Sequence, residues 1–186
     1  MGFMKTIGIL ATIAATASAL PQGFEKRQAT STSSAPSTSS SAASSGSGIQ
    51  IVNNMDSTVY LWSTSNTGGS MQTLPSGGGT YSEDWQTNSD GGGISIKMST
   101  SQSEDSVLQF EYTQNGDTLY WDLSSINLDS SSDFVSQGFQ AIPSDSSCNS
   151  ATCAAGDSSC AQAYQHPDDV DTNSCSLSSG FTLTLG

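Results

Sequence analysis

Basic residues are nearly absent from this chain. Its 186 residues carry 4 Lys+Arg against 17 Asp+Glu, for a formal net charge of −13. Four cations cannot build the basic patch that displaces counterions from phosphates, so nucleic-acid binding is excluded. Docking on an anionic membrane surface takes clusters of Lys or Arg and is excluded with it. Histidine is as scarce. His166, beside Pro167, is the single one, in a loop-like setting unsuited to a Ser-His-Asp triad. No Cys-x2-Cys pair occurs, so no transition-metal site is expected. The Gly77–Gly79 and Gly91–Gly93 runs have neither the Lys nor the following helix of a phosphate loop, and they read as hairpin loops. The Asp-rich stretches 129–133 and 168–171 carry oxygens that suit calcium, without the spacing of an EF-hand. No cofactor and no metal are expected. Asn-x-Ser/Thr sequons are absent too, apart from the Cys variant Asn173-Ser174-Cys175, so N-glycosylation is not expected.

Long apolar runs are also missing. The run Ile7–Ala15 is too short for a spanning helix of about 20 residues. With Lys5 ahead of it and Ala17-Ser18-Ala19 behind, it reads as the core of a secretory signal over residues 1–19. Residues 20–27 read as a propeptide ending in the dibasic pair Lys26-Arg27, whose cleavage leaves Gln28 first. That cleavage removes Lys5, Lys26, Arg27 and Glu25. Sixteen acidic residues and one basic residue, Lys97, then remain, a formal charge of 1 − 16 = −15. Residues 28–48 read as a linker. Thirteen of the 20 residues from 29 to 48 are Ser or Thr, and none is an aromatic or an aliphatic larger than Ala. Such a stretch buries too little apolar surface to offset the entropy of ordering. A secreted Ser/Thr-rich run with Pro reads as an O-glycosylated stalk.

Residues 49–186 read as one all-β domain. Ile94, Ile96 and Met98 alternate with Ser95, Lys97 and Ser99. Leu108, Phe110 and Tyr112 alternate with Gln109, Glu111 and Thr113, and Phe181, Leu183 and Leu185 with Thr182 and Thr184. Period two with one apolar face is the pattern of a half-buried strand. Ile49–Val52 and Val59–Trp62 read as strands buried on both faces. Asn115-Gly116, between runs 107–113 and 118–123, predicts a type I′ hairpin. Many short strands with Gly, Ser, Asn and Asp between them suggest a sandwich or barrel. A short helix is expected near Ser159–Tyr164. Trp62, Trp85 and Trp121 read mostly as core or cross-strand residues, with sugar stacking as the other use. The four cysteines, at 148, 153, 160 and 175, predict two disulfides in a secreted chain; spacing alone leaves three connectivities open.

Several landmarks in order carry a family resemblance. Ile49-Gln50-Ile51-Val52-Asn53-Asn54 followed by Val59-Tyr60-Leu61-Trp62 resembles the opening strand pair of thaumatin-like proteins. Gly92-Gly93-Ile94 to Lys97, Leu108-Gln109-Phe110 and Tyr120-Trp121-Asp122-Leu123-Ser124 resemble three later strands. Cys160-Ala161-Gln162-Ala163-Tyr164, then Asp168-Asp169 and Cys175, resembles the family's ending. Small size and few cysteines look most like the fungal branch, the yeast-phase-specific antigenic thaumatin-like proteins. The resemblance implies a thaumatin-like β-sandwich, without the cysteine-rich second domain of larger members. It implies nested bridges, Cys148–Cys175 and Cys153–Cys160; spacing equally permits Cys148–Cys153 with Cys160–Cys175. The outer bridge is expected to fix the last strand, Phe181–Leu185. Met55 and Leu185-Gly186 stand where the family has one further cysteine pair, so that bridge is lost as a unit.

Plant members of that family carry an acidic cleft with one Arg and several carboxylates, and some bind or weakly hydrolyse β-1,3-glucan there. By that resemblance the cleft positions fall at Lys97, Gln109, Asp122, Asn127, and Asp168 or Asp169. Two carboxylates have become amides, which hydrogen-bond sugar hydroxyls but cannot act as acid or nucleophile. The expectation is a secreted, wall-associated, monomeric, non-catalytic protein that binds neutral cell-wall polysaccharide such as β-glucan. The alternatives are a weak β-1,3-glucan hydrolase, or an effector or adhesin with a protein partner.

Overall fold

The structure, a computed structural model, describes residues 46–66 and 69–186. The signal at 1–19, the propeptide at 20–27 and the linker up to residue 45 lie outside the described residues. Among the described residues eleven strands and a short helix follow one another: β1 (Gly48–Asn53), β2 (Val59–Ser63), β3 (Gln72–Leu74), β4 (Gly79–Glu83), β5 (Ile94–Ser99), β6 (Leu108–Asn115), β7 (Thr118–Ser124), α1 (Asp133–Gln137), β8 (Phe139–Pro143), β9 (Ala151–Cys153), β10 (Asn173–Ser176) and β11 (Gly180–Leu185). They form two sheets, a five-stranded one in the order β4-β1-β11-β8-β9 and a six-stranded one in the order β10-β7-β6-β5-β2-β3. The expected all-β sandwich is this pair.

The apolar sets of the alternating strands face each other. Ile94, Ile96, Met98, Leu108, Phe110, Leu119, Trp121 and Leu123 of the larger sheet share one buried cluster with Ile49, Ile51, Phe181, Leu183 and Leu185 of the smaller. Burying each such side chain stabilises by about 1.5–3 kcal/mol. Phe181 carries the aromatic contact between sheets, its ring centroid 4.8 Å from Trp121 and 5.8 Å from Phe110. Trp85 closes this cluster over Phe110 and Tyr112, and its indole N–H donates to Ser179 O at 3.1 Å.

Several local expectations are corrected. β1 is buried on both faces, but β2 is not: Val59 and Leu61 are buried while Tyr60 and Trp62 are half-exposed. β2 lies second from the edge of the larger sheet, where the outer face is open. The hairpin turns one residue later than expected. Asn115 pairs with Thr118, so the loop is Gly116-Asp117, with Gly116 at φ 61. Ser159–Tyr164 is not a helix, because the Tyr164 N–H goes to Leu123 O at 2.8 Å rather than back along its own turn. The helix is α1, where Ser132 Oγ accepts from Phe134 N at 3.2 Å, an N-cap of the usual kind. The runs at Gly77–Gly79 and Gly91–Gly93 are not hairpin loops. They lead into β4, which Gly79 opens, and β5, and the chain changes sheet on the way to each. The strand boundary is one residue early: Gly48 opens β1 at φ +125, where a Cβ would lie 2.5 Å from Glu83 O.

Both bridges form as the resemblance implied, Cys148–Cys175 and Cys153–Cys160, with no free cysteine. The role expected of the outer bridge is corrected. β11 sits inside its sheet, hydrogen-bonded to β1 on one side and β8 on the other, and needs no staple. Cys175 lies on edge strand β10 and Cys148 between β8 and β9, so the bridge ties an edge of one sheet to the other sheet.

Candidate functional site

Because Ile94, Ile96 and Met98 point into the core, Ser95 and Lys97 point out. The same holds along β6 and β7, and the register lines these polar residues up in rows. Trp62, Lys97, Gln109 and Ser124 form one row, and Ser95, Glu111 and Asp122 the next. Thr113, Tyr120 and Ser174 form a third. Tyr120 is 41% exposed. Two grooves flank these rows. One, of about 410 Å³, is lined by Ser95, Glu111, Thr113, Tyr120, Asp122 and Thr172, among others. The other, of about 610 Å³, runs from Asp122 past Tyr164, Gln165 and His166 to Asp168, Asp169 and Asp171. Asp122 lines both.

The polar network is organised from buried side chains. Gln109 is 9% exposed; its Oε1 accepts from Ser95 Oγ at 3.0 Å and its amide donates to Ser124 Oγ at 3.5 Å. Glu111 and Asp122 stand directly opposite on adjacent strands, a placement that is unfavourable for two like charges. Asp122 Oδ1 is buried and accepts no hydrogen bond. Burial, and then the charge of Glu111, push the Asp122 carboxyl up from 3.8 to about 7. Burial also raises Glu111, against the hydroxyl of Ser124, the charge of Lys97 and the hydroxyl of Ser95.

The expected cleft residues divide. Gln109 and Asp122 lie on the polar face, and Asp168 lines the larger groove. Asp169 lines that groove too, but its Oδ2 accepts from Gln165 N at 2.7 Å and His166 N at 2.9 Å. Those two N–H groups hold its carboxyl below the usual range, the bond from His166 first; it closes the loop. Lys97 shares the row but lines neither groove, and its Nζ donates to Glu104 Oε2 at 2.7 Å. Asn127 is not brought in. It is exposed in the turn after β7, where its carbonyl accepts from Val107 N at 3.0 Å. Glu111 was missed. Period two puts it on the same face as Gln109, and that was the signal for it. No group of three or more His, Cys, Asp or Glu suited to a metal occurs among the described residues.

Comparisons with known proteins agree with this architecture. The family model described as "Blastomyces yeast-phase-specific protein" matches residues 35–186. The chain is 47% identical to a secreted thaumatin-like protein, calA, of Emericella nidulans over all of this chain and 98% of that one. It is 37% identical to an antigenic thaumatin-like protein of Arthroderma benhamiae, over 73% of this chain and 68% of that one. Among solved structures, the protein elicitor MoHrip2 of Magnaporthe oryzae superposes with TM-score 0.61 at 26% identity, over 74% of this chain and 97% of that one. The thaumatin-like xylanase inhibitor TLXI superposes with TM-score 0.50 at 14% identity, over 73% and 97%. That last likeness bears on the fold alone.

Proposed function

This chain belongs to the Blastomyces yeast-phase-specific family of secreted thaumatin-like proteins, and from that membership we propose that it binds neutral, hydroxyl-rich cell-wall polysaccharide without cleaving it. The observation that carries this reading is the set of rows on the outer face of the six-stranded sheet. Ser95, Gln109 and Ser124 supply donors and acceptors already tied to one another, while Trp62 and Tyr120 offer partly exposed rings beside them. Pre-tied polar groups lose little entropy when a sugar arrives, and rings stack on the apolar faces of pyranoses. Single hydrogen bonds to sugar hydroxyls contribute only about 0.5–1.5 kcal/mol net, so affinity comes from several rows engaging one chain.

Glu111 and Asp122 weigh against catalysis despite their proximity. A glycosidase sets its two carboxyl groups on either side of the scissile bond. These two project from neighbouring strands of one face, so both meet a ligand from the same side. A hydrolytic reading has one specific support, that Asp122 and Asp168 line the same groove.

The test is retention of the secreted protein on insoluble β-1,3-glucan, together with reducing-end release from soluble glucan. Retention without turnover supports the reading. Sustained turnover abolished by Asp122→Asn and by Asp168→Asn favours the hydrolase instead. Absence of retention on every fungal wall polysaccharide shifts the function to a protein partner.

A further inference from the structure

We propose that Glu111 and Asp122 act as one unit, a carboxyl pair that holds a single proton between its two members and presents it to the ligand, which makes Glu111 the ligand-facing acid of this face. The inference rests on the glycan-binding reading for its ligand, but the pair itself is argued from the protein alone. The two residues are in direct cross-strand register and on the same face. Asp122 Oδ1 is buried with no donor. With two carboxylates facing each other, a proton on one of them turns it into a donor and removes the like-charge repulsion.

The surroundings supply that balance only to Glu111, whose ionised form the Ser124 hydroxyl, the Lys97 charge and the Ser95 hydroxyl favour; none of them relieves Asp122. From β5 the facing cation is Lys97, already held at 2.7 Å by Glu104. From β7 itself comes Tyr120, and from the loop before β10 comes the Tyr164 phenol, raised by burial first, against the Thr172 hydroxyl, and then by the charges of Asp122, Asp171 and Asp169. His166 and Asp168 line the far part of the larger groove. With anions in the majority, a proton is the cheapest counter-charge. Burial is the larger cause of the same direction at Asp122, and the charge of Glu111 adds to it.

The consequence is proton-linked binding. A neutral sugar laid over the pair removes more water from it, which disfavours the doubly ionised form further. Binding therefore takes up a proton, and affinity falls as pH rises through the neutral range, by up to about tenfold per pH unit for one linked proton. Glu111 also differs chemically from Gln109, which stays neutral at every pH.

The experiment is a carboxyl ¹³C NMR titration of the secreted protein, with Glu111→Gln and Gln109→Ala beside it, followed by binding isotherms on laminarin-type β-1,3-glucan at about pH 5.5 and 8.5. Asp122 is expected to titrate near neutrality, with a coupled response at Glu111. In Glu111→Gln its midpoint drops toward, but not to, the ordinary 3.8, since burial remains. Gln109→Ala leaves the coupling in place. Wild-type binding weakens several-fold at the higher pH, and Glu111→Gln shrinks that dependence and moves it to lower pH. An Asp122 midpoint in the ordinary carboxylate range, or one unmoved by Glu111→Gln, overturns the shared proton. Glucan binding that ignores pH in a protein whose pair titrates as described overturns the ligand-facing role. A coupled titration with no glucan binding at any pH overturns the glycan reading and leaves the pair standing. Dispersed amide spectra in each variant confirm that it is folded.

Discussion

Asn53 does with one buried amide what a longer loop would need several residues to do. It is fully buried, its Nδ2 donates to Ser57, Leu74 and Pro75 carbonyls at 2.9–3.1 Å, and its Oδ1 accepts from Met55 N at 3.1 Å. That single side chain satisfies the backbone at the end of β1 and at the end of β3. Replacing it by Ala orphans several buried groups at once, each costing about 1–3 kcal/mol, so Asn53→Ala is expected to lower the denaturation midpoint severely. Asp122 has the opposite character. Its carboxyl is raised to about 7 in the fold against an ordinary 3.8, so between those values the folded state binds more protons than the unfolded one. Stability from this group is full below about 4 and is lost as pH rises through about 7. Asp122→Asn removes that loss. After allowance for solvent screening at a partly exposed site, the gain is roughly 1–2 kcal/mol at pH 8 and none at pH 4. Urea titrations at the two pH values check it, and an equal effect at both rejects the assignment.

At the scale of elements, the strands with a clean period of two were legible. β5, β6 and β11 carry it, and the structure finds each with its apolar residues inside. The strands without it were not. β3 and β9 have three residues each, and β4 reads Gly-Thr-Tyr-Ser-Glu, too short or too polar for periodicity to speak. The hairpin was placed correctly and its turn by one residue wrongly, because Asn-Gly names a preferred dipeptide while the pairing of Asn115 with Thr118 is settled by the faces of β6 and β7. Gly48 was read as linker because a glycine has no apolar signature; only the tertiary approach of Glu83 shows why it is there. Gly48→Ala is expected to destabilise by more than 1 kcal/mol, since it adds left-handed strain to a 2.5 Å collision with backbone. A thermal melt of that variant checks it, and Gly46→Ala is the control, having nothing within 4 Å. The polar face was legible in part for the same reason. Ordered motifs point to Gln109 and Asp122, while Glu111 is marked only by its period-two place beside Gln109, and its pairing with Asp122 follows from register alone.

The disulfides join elements that hydrogen bonds leave loose. Edge strand β10 pairs with β7 alone, and Cys175 is its covalent link to the other sheet, beside the exposed Asn149–Asn173 side-chain bond at 3.1 Å. In the chain-entropy model, a closed loop with sequence separation 27 contributes about 3–4 kcal/mol and one with separation 7 about 2–3 kcal/mol. Cys148→Ser with Cys175→Ser is therefore expected to cost the larger amount. Its damage should concentrate at β10 and the loop before it, which forms a wall of the larger groove. Amide exchange reads this directly. Fast exchange at residues 173–176 with slow exchange kept at 180–185 is expected, and equal loss in both strands would restore the role first expected of the bridge.

For the whole molecule, charge decides which polymers can approach. The protein is secreted, and we take Gln28 as the first residue after cleavage at Lys26-Arg27, which leaves a formal charge of −15 with Lys97 as the lone cation. Intact mass of the secreted form tests that terminus, and Leu20 as the stable end rejects it. The excess of anions repels acidic polymers at ranges beyond the Debye length of about 8 Å at physiological salt, falling to about 3 Å at 1 M. A neutral glucan feels none of this. Retention on β-1,3-glucan should therefore stay level as salt rises from about 0.05 to 1 M, because the contacts are hydrogen bonds and ring stacking. An acidic wall polymer should show no retention at low salt and at most weak retention at 1 M, where repulsion is screened. The opposite trend, strong retention that salt abolishes, is the signature of attraction between unlike charges. It would mean that the carboxylates of the larger groove, Asp168, Asp169 and Asp171, hold a cationic partner, and that the neutral-glycan reading is wrong at its root.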